Sequence, residues 1–468
     1  MPVNSFDNYE LSWKPDRSRI EPPLYLGLAS MLERDILSGA LSSGTKMPPQ
    51  RELADYLDVS LNTITRVYTL CVKKGLLRAV TGRGTFVSGT MPAGRNVIEP
   101  GSGTGRALAL DIATPVFTGA EPLLQLIREV LDSPEAAGFF RYTNPLGTTA
   151  QRAAAARWLE LFGISAGAER VLITNGTQNA LNLTLSALFS DGDRIAVDRY
   201  TYANFIGLAN MLNITLVPVG GDSSGMSAAE LERLLRTVPV KGIYLSPSCS
   251  NPQALCMPME RRQELAAVIS GHGLMLIEDD CYAFLRGEQL TPLSVLAPEN
   301  SIYLSGVNKA LALGLRIAFM HYPLRLKETL ESAVYNCNLI AGPLNAEIAR
   351  RIIESGLHLR CIRRQRELVG RRSAIYAEYF PLTNPCSCYQ WLPLPDGVTG
   401  RFFEALAAKE GVRVYGSERF LAGDADGRHY LRVSTAAAES EGELRAALRT
   451  VRRLISELSP EPPHGYTL

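Results

Sequence analysis

Five short, mostly apolar runs, each giving way to a polar cluster, constrain this chain more than any other feature. They are Arg170-Val-Leu-Ile-Thr174, Arg194-Ile-Ala-Val197, Val240-Lys-Gly-Ile-Tyr-Leu245, Gly273-Leu-Met-Leu-Ile277 and Tyr303-Leu-Ser. Apolar runs of this length without strict alternation suit strands buried on both faces, as in a parallel sheet covered by helices. Helical stretches separate them, so residues 110–322 read as the large lobe of an α/β domain with a mixed, mainly parallel sheet. In such sheets ligands bind beyond the carboxyl ends of the strands. The polar clusters are therefore the first place to look for chemistry.

The last run leads to Lys309, with Arg316 seven residues beyond it. A lysine there can form a Schiff base, and an arginine fork can hold a phosphate. One segment would thus supply the covalent and ionic anchors of pyridoxal 5′-phosphate (PLP). Alone, the pair reads more simply as solvated loop charge. The fourth run ends in Glu278-Asp279-Asp280-Cys281-Tyr282. Asp279 suits a pyridine nitrogen that must stay protonated to draw electrons, and Tyr282 suits the ring's phenolic oxygen; acids at a helix start are the plainer alternative. The third run precedes Asn251-Pro252, where an extended backbone can project the amide into a pocket or make an ordinary turn. After the first run, Asn175-Gly176-Thr177-Gln178 forms a glycine turn into a helix, a natural phosphate seat. After the second, Tyr200-Thr-Tyr202 offers an aromatic plate.

Taken together and in this order, these elements resemble the fold-type I aminotransferases, the aspartate aminotransferase superfamily, from about residue 110 to the end. The resemblance implies that Lys309 holds PLP as an internal aldimine and that Asp279 partners the pyridine nitrogen. It implies that Asn251 and Tyr282 meet the phenolic oxygen, that Tyr202 stacks on the ring, and that Gly176, Thr177, Gln178 and Arg316 gather the phosphate. Tyr142, in Tyr142-Thr-Asn-Pro145, matches the tyrosine that reaches the phosphate of a neighbouring subunit, implying a homodimer. Arg432, in Tyr430-Leu-Arg432-Val-Ser434, matches the arginine that grips a substrate α-carboxylate. The chain departs from the family at three places. Gly306-Val-Asn308-Lys309 lacks a serine hydroxyl expected on the phosphate, Gln253-Ala254 replaces Thr-Gly after Asn-Pro, and Leu313 replaces a proline before Gly-Leu-Arg.

The first part of the chain is patterned differently. Residues 22–37 have apolar positions at helical spacing; Pro48 and Pro49 enter a second helix over 47–57, and Asp58-Val59-Ser60 caps a third from 61 to about 74. Ile64, Val67, Tyr68 and Cys71 form one apolar stripe on that third helix. This is the layout of a helix-turn-helix. Residues 75–87 then read as a hairpin wing with a basic tip at Arg83-Gly84. From residue 60 to 87 there are five basic residues and no acid, as a phosphate backbone selects. A solvated basic face is the alternative reading of that segment alone. Leu-Ser-Gly-Ala-Leu, Met-Pro-Pro-Gln-Arg-Glu-Leu-Ala, Ser-Leu-Asn-Thr and Gly-Arg-Gly-Thr-Phe-Val together resemble the winged helix-turn-helix of GntR-family regulators. With the body described above, the whole chain resembles the MocR-type branch. The resemblance implies that Arg51, Ser60, Asn62, Thr63, Thr65, Arg66, Arg83 and Gly84 meet double-stranded DNA.

The expected organisation is a head at 21–89, a linker at 90–109 and a body at 110–468, with the small lobe from 323. The linker is expected because 88–106 is rich in Gly, Pro and Ser and has no hydrophobic period. A net charge of +1 requires any nucleic-acid contact to come from a local patch. The eight cysteines and five histidines show no zinc spacing, so reduced thiols and no metal are expected. No run is long enough to cross a bilayer, and a cytoplasmic protein is expected. Two functions follow: a DNA-binding regulator whose body senses PLP or a small amine or amino-acid-like effector, or a working aminotransferase with a regulatory head.

Overall fold

The computed structural model describes residues 11–20, 22–37, 40–41, 44–73, 76–80, 82–87, 107–113, 120–288, 290–423 and 427–459. In the head, helices α1 (Leu24–Leu37), α2 (Gln50–Tyr56) and α3 (Leu61–Lys73) precede a hairpin of β1 (Leu77–Val80) and β2 (Gly84–Val87). The helices pack because Leu28, Leu32, Leu53, Ile64, Val67 and Cys71 share one buried cluster, the expected stripe of α3 among them. Ser60 caps α3, its Oγ accepting from the Thr63 N–H at 3.2 Å. The head starts earlier than residue 21: Trp13 is buried in the same cluster, and its Nε1 donates to Asp35 at 2.7 Å. One aromatic residue in a polar stretch gives no period from which to read this.

The body opens with β3 (Leu108–Ala109), α4 (Ala120–Leu131) and α5 (Thr149–Glu160), the last held by a Thr148/Gln151 capping box. Strands β4 (Val171–Thr174), β5 (Arg194–Asp198) and β6 (Thr215–Val219) alternate with α6 (Thr177–Leu188) and α7 (Ala203–Met211). A small hairpin of β7 (Gly221–Asp222) and β8 (Gly225–Met226) leads to α8 (Ala228–Leu235), β9 (Gly242–Leu245), α9 (Met259–His272) and β10 (Met275–Asp279). The short α10 (Leu293–Leu296), β11 (Ser301–Gly306) and β12 (Ala318–His321) follow. Seven of these strands form one sheet in the order β4-β12-β11-β10-β9-β5-β6. Only β12 runs against its neighbours. The carboxyl ends of β4, β5, β9, β10 and β11 therefore lie along one edge.

Helices α11 (Lys327–Cys337) and α12 (Pro343–Glu354) follow residue 322 but pack on α6 and α5 of the large lobe. Helix α13 (Leu357–Ala377) then leads to the small lobe, where β13 (Tyr389–Pro393) precedes α14 (Gly400–Lys409), β14 (Val412–Arg413), β15 (Tyr415–Gly416), β16 (Tyr430–Ser434) and α15 (Glu441–Leu458). Its sheet order is β13-β16-β15. The apolar faces of α11 and α12 close the large-lobe core. Strand β3, inside the stretch expected as linker, pairs in parallel with β14, and Leu110 lies in the small-lobe core. Residues 90–106 lie outside the described residues. Among the described residues no helix is long and apolar enough to cross a membrane, and no group of three or more His, Cys, Asp or Glu could hold a metal ion.

Candidate functional site

The strand ends converge on a cleft lined by Thr177, Gln178, Tyr202, Asn251, Asp279, Tyr282, Lys309 and Arg316. Gly176 closes the end beside Arg316. This residue starts α6 at φ +87°, and a Cβ there would lie 2.6 Å from Arg316 Nη2 and 3.1 Å from Asn308 Nδ2. Only glycine lets both donors approach a helix N-terminus already suited to an anion. The Ile317 N–H donates to Asn308 Oδ1 at 2.9 Å, which turns the amide nitrogen toward Gly176. Asn308 thus offers a donor where the expected serine hydroxyl is missing. Its place beside Lys309 was visible in the sequence; its direction was not.

Strand alternation sorts the three acids of Glu278-Asp279-Asp280. Glu278 accepts from the Leu293 and Ser294 N–H groups at 3.0 and 2.7 Å, and Asp280 accepts from Ser248 Oγ at 2.7 Å. Both are structural. Asp279 faces the cleft, with Tyr244 Oη donating to Oδ2 at 3.0 Å and Cys281 Sγ to Oδ1 at 2.9 Å. Burial raises the Asp279 carboxyl pKa, while the Cys281 and Tyr244 hydrogen bonds oppose that rise. Burial, and the neighbouring Asp279 charge, keep the Cys281 thiol protonated. Tyr244, stacked on Phe205 at 3.9 Å, and Cys281 escaped the sequence reading, because a tyrosine and a cysteine in an apolar setting read as core. Tyr244→Phe is expected to raise the Asp279 pKa further, because it removes a hydrogen bond that favours the carboxylate, a bond to a charged group being worth about 1.5–3 kcal/mol. Infrared titration of the carboxyl band checks this; an unmoved band would remove Tyr244 from control of Asp279.

The remaining polar groups meet a strap, residues 111–113. Lys309 Nζ and Tyr282 Oη both donate to the Ala113 carbonyl, at 2.7 and 3.0 Å. Arg432 Nη2 donates to the Asp111 carbonyl at 2.6 Å and Nη1 to Asn251 Oδ1 at 2.9 Å. Asn251 and Tyr282, expected as a pair on one ring oxygen, therefore have separate protein partners here. Burial lowers the Lys309 pKa, with the Arg432 and Arg316 charges adding to the shift and Cys388 and Cys281 opposing it. Arg432 is no surface charge. It is 1% exposed, its Nε has no hydrogen-bond partner, and the rings of Phe420, Tyr389 and Tyr415 surround its guanidinium. Burial lowers its pKa too. A buried cation with an orphaned donor has the chemistry to pair with a carboxylate. Tyr142 lies apart from the cleft of its own chain and is 81% exposed.

In the head, Arg51, Asn62, Thr65 and Arg66 are exposed, Thr63 is half-buried, and Arg83 and Gly84 sit exposed at the hairpin tip. Several have internal partners as well. Ser60 caps α3 and meets Thr63 Oγ1 at 2.9 Å; Thr65 Oγ1 donates to Gln50 Oε1 of α2 at 2.8 Å; the Arg66 guanidinium lies 5.1 Å from the Tyr25 ring centre. Gly84 has φ +113° and answers a backbone need.

The donors of the cleft fit PLP: a carboxylate for a ring nitrogen, an amine, and an arginine with a glycine-opened helix start for a phosphate. Residues 110–451 match the family described as aminotransferase class I and II, and residues 24–87 match the gntR family of bacterial regulatory proteins. The chain is 36% identical over 463 residues to the uncharacterized HTH-type transcriptional regulator YdeF of Bacillus subtilis, covering 98% of this chain and 100% of that protein. It is 28% identical over 387 residues to the probable rhizopine catabolism regulatory protein MocR of Rhizobium meliloti, covering 76% of each. The crystal structure of LysN, an alpha-aminoadipate aminotransferase from Thermus thermophilus complexed with N-(5'-phosphopyridoxyl)-L-leucine, matches with a TM-score of 0.70 and 23% identity. That match covers 75% of this chain and 92% of that one.

Proposed function

Because the chain belongs to the GntR-type transcription regulators whose body is of the aminotransferase class I and II family, we propose that its body holds PLP and reads an amino-acid-like ligand. That reading alters how two heads of a homodimer meet double-stranded DNA in the cytoplasm. The observation that carries this is the strap. Asp111 and Ala113 follow β3, the first strand of the body after the head, and their carbonyls are held by Arg432, Lys309 and Tyr282.

When bound, PLP supplies an aldehyde that captures amines and a ring that draws electrons. Asp279 would hold a proton at the ring nitrogen. Gly176, Thr177, Asn308 and Arg316 would seat the phosphate, and Tyr202 would cover the ring. Arg432 would take a ligand carboxylate bidentately, which requires Nη2 to leave the Asp111 carbonyl. Such a ligand favours one arrangement of the strap over the other, the condition for any effect on the heads. Exposed Tyr142 and Phe140, 81% and 76%, support a partner subunit covering this edge.

The second reading, a working aminotransferase, is favoured by the joint presence of Lys309, Asp279 and Arg432. Retardation of promoter DNA without measurable turnover supports the regulator; rapid multiple turnover of an amino acid with a 2-oxo acid supports the enzyme. Arg83→Ala should weaken binding to all sequences alike and reduce the salt slope by about 0.9, as loss of one phosphate contact requires. Arg66→Ala should reduce DNA binding with PLP absorbance intact. Unchanged DNA affinity in both variants would remove the head surface from this role.

A further inference from the structure

On α13, Arg360, Arg363, Arg364, Glu367 and Arg371 line an open groove, and all five are exposed. At 3.6 residues per turn they occupy about a third of the helix circumference. Among the described residues Arg371 pairs with Glu441 at 3.2 Å, and no carboxylate pairs with Arg360, Arg363 or Arg364. Some other exposed arginines of the body do have carboxylate partners: Arg157 with Glu354, Arg128 with Glu121, Arg453 with Glu457. Like charges three and four residues apart repel and weaken a helix. In a chain of net charge +1 this row is a local excess, and it needs an anionic partner to be useful.

The same helix is tied to both halves of the cleft. Arg366 Nε donates to the Phe284 carbonyl at 2.7 Å, just beyond Tyr282. Arg372 Nη1 donates to the Thr435 and Ala438 carbonyls at 3.0 and 2.8 Å, just beyond the strand that carries Arg432. Both elements are thereby anchored to α13.

We infer that this face is a second contact for the phosphate backbone of double-stranded DNA, carried by the body and not the head. The inference rests on the reading of the chain as a DNA-binding regulator. An open row suits a polyanion better than a small ion, which needs an enclosing seat. Arg360 to Arg371 spans about 16 Å along the helix, an axial length over which duplex DNA carries roughly ten phosphates. The contact would carry no sequence preference, because phosphates position and bases specify.

The test is the salt dependence of full-length, PLP-loaded protein binding to a long random-sequence duplex. The Arg360→Gln/Arg363→Gln/Arg364→Gln variant should lose about 2 to 3 from the log–log salt slope, at about 0.9 per phosphate contact, and keep its PLP absorbance. The corresponding triple Lys variant should retain the wild-type slope, because the slope counts charges. A wild-type slope and affinity in the Gln triple, alongside a reduced slope in Arg83→Ala, would overturn the second contact and leave the head reading standing. A Lys triple as weak as the Gln triple would also overturn it, by pointing to damage to the fold. If wild-type protein binds no duplex, the regulator reading fails and this inference with it.

Discussion

Lys309→Ala protein is expected to carry no covalently attached PLP. Lys309 is the lysine that lines the cleft among the described residues, together with Asp279 and Arg316. Borohydride reduction followed by peptide mass analysis should find the modified lysine in wild-type protein and no adduct in the variant. Burial holds the Lys309 pKa below the ordinary 10.5. The free amine that attacks an aldehyde is therefore present at lower pH than for a solvated lysine, and capture of added PLP should rise with pH through a range below 10.5. Asp279→Ala should have a different signature: the covalent link remains, and affinity falls by about 1.5–3 kcal/mol through loss of a charge-assisted bond. A reducible adduct surviving in Lys309→Ala would place the chemistry elsewhere.

Arg432→Ala should abolish the response to carboxylated amines. Removing one partner of a buried, hydrogen-bonded charge pair costs about 2–5 kcal/mol, roughly 30- to 5,000-fold in ligand affinity. Wild-type protein should show ligand-induced changes in PLP absorbance and in DNA affinity together, and the variant should show neither while keeping PLP. Arg432→Lys keeps the charge but loses the fork, so it should restore only part of the response. Unaltered ligand spectra and DNA response in Arg432→Ala would leave the guanidinium as a structural brace between Asn251 and the Asp111 carbonyl.

Local patterns made the two-part architecture legible. The stripe of Ile64, Val67, Tyr68 and Cys71 marks a packed helix wherever it occurs. A short apolar run followed by Asp279 or Lys309 marks a strand end facing a crevice, because buried strands admit polar groups only where they leave the sheet. Where a residue's role depends on its immediate neighbours, as at Ser60, whose Oγ caps the helix it precedes, the sequence sufficed to mark the position.

What local pattern could not carry was every contact made across long chain separations. Arg432 reaches the Asp111 carbonyl across 321 residues, and Lys309 reaches Ala113 across 196. Folding, not spacing, decides that β3 joins the small lobe, that α11 and α12 join the large one, and that Trp13 completes the head. Tyr244 and Cys281 looked like core residues because their types are apolar enough to be buried anywhere; only their register beside Asp279 makes them its donors. The sequence by itself determined the kinds of elements and the chemistry at their ends, since both follow from periodicity and residue type. The tertiary structure alone decided which of those ends share one carbonyl, because hydrogen bonds are directional and short, and only the packed sheet brings their partners within reach.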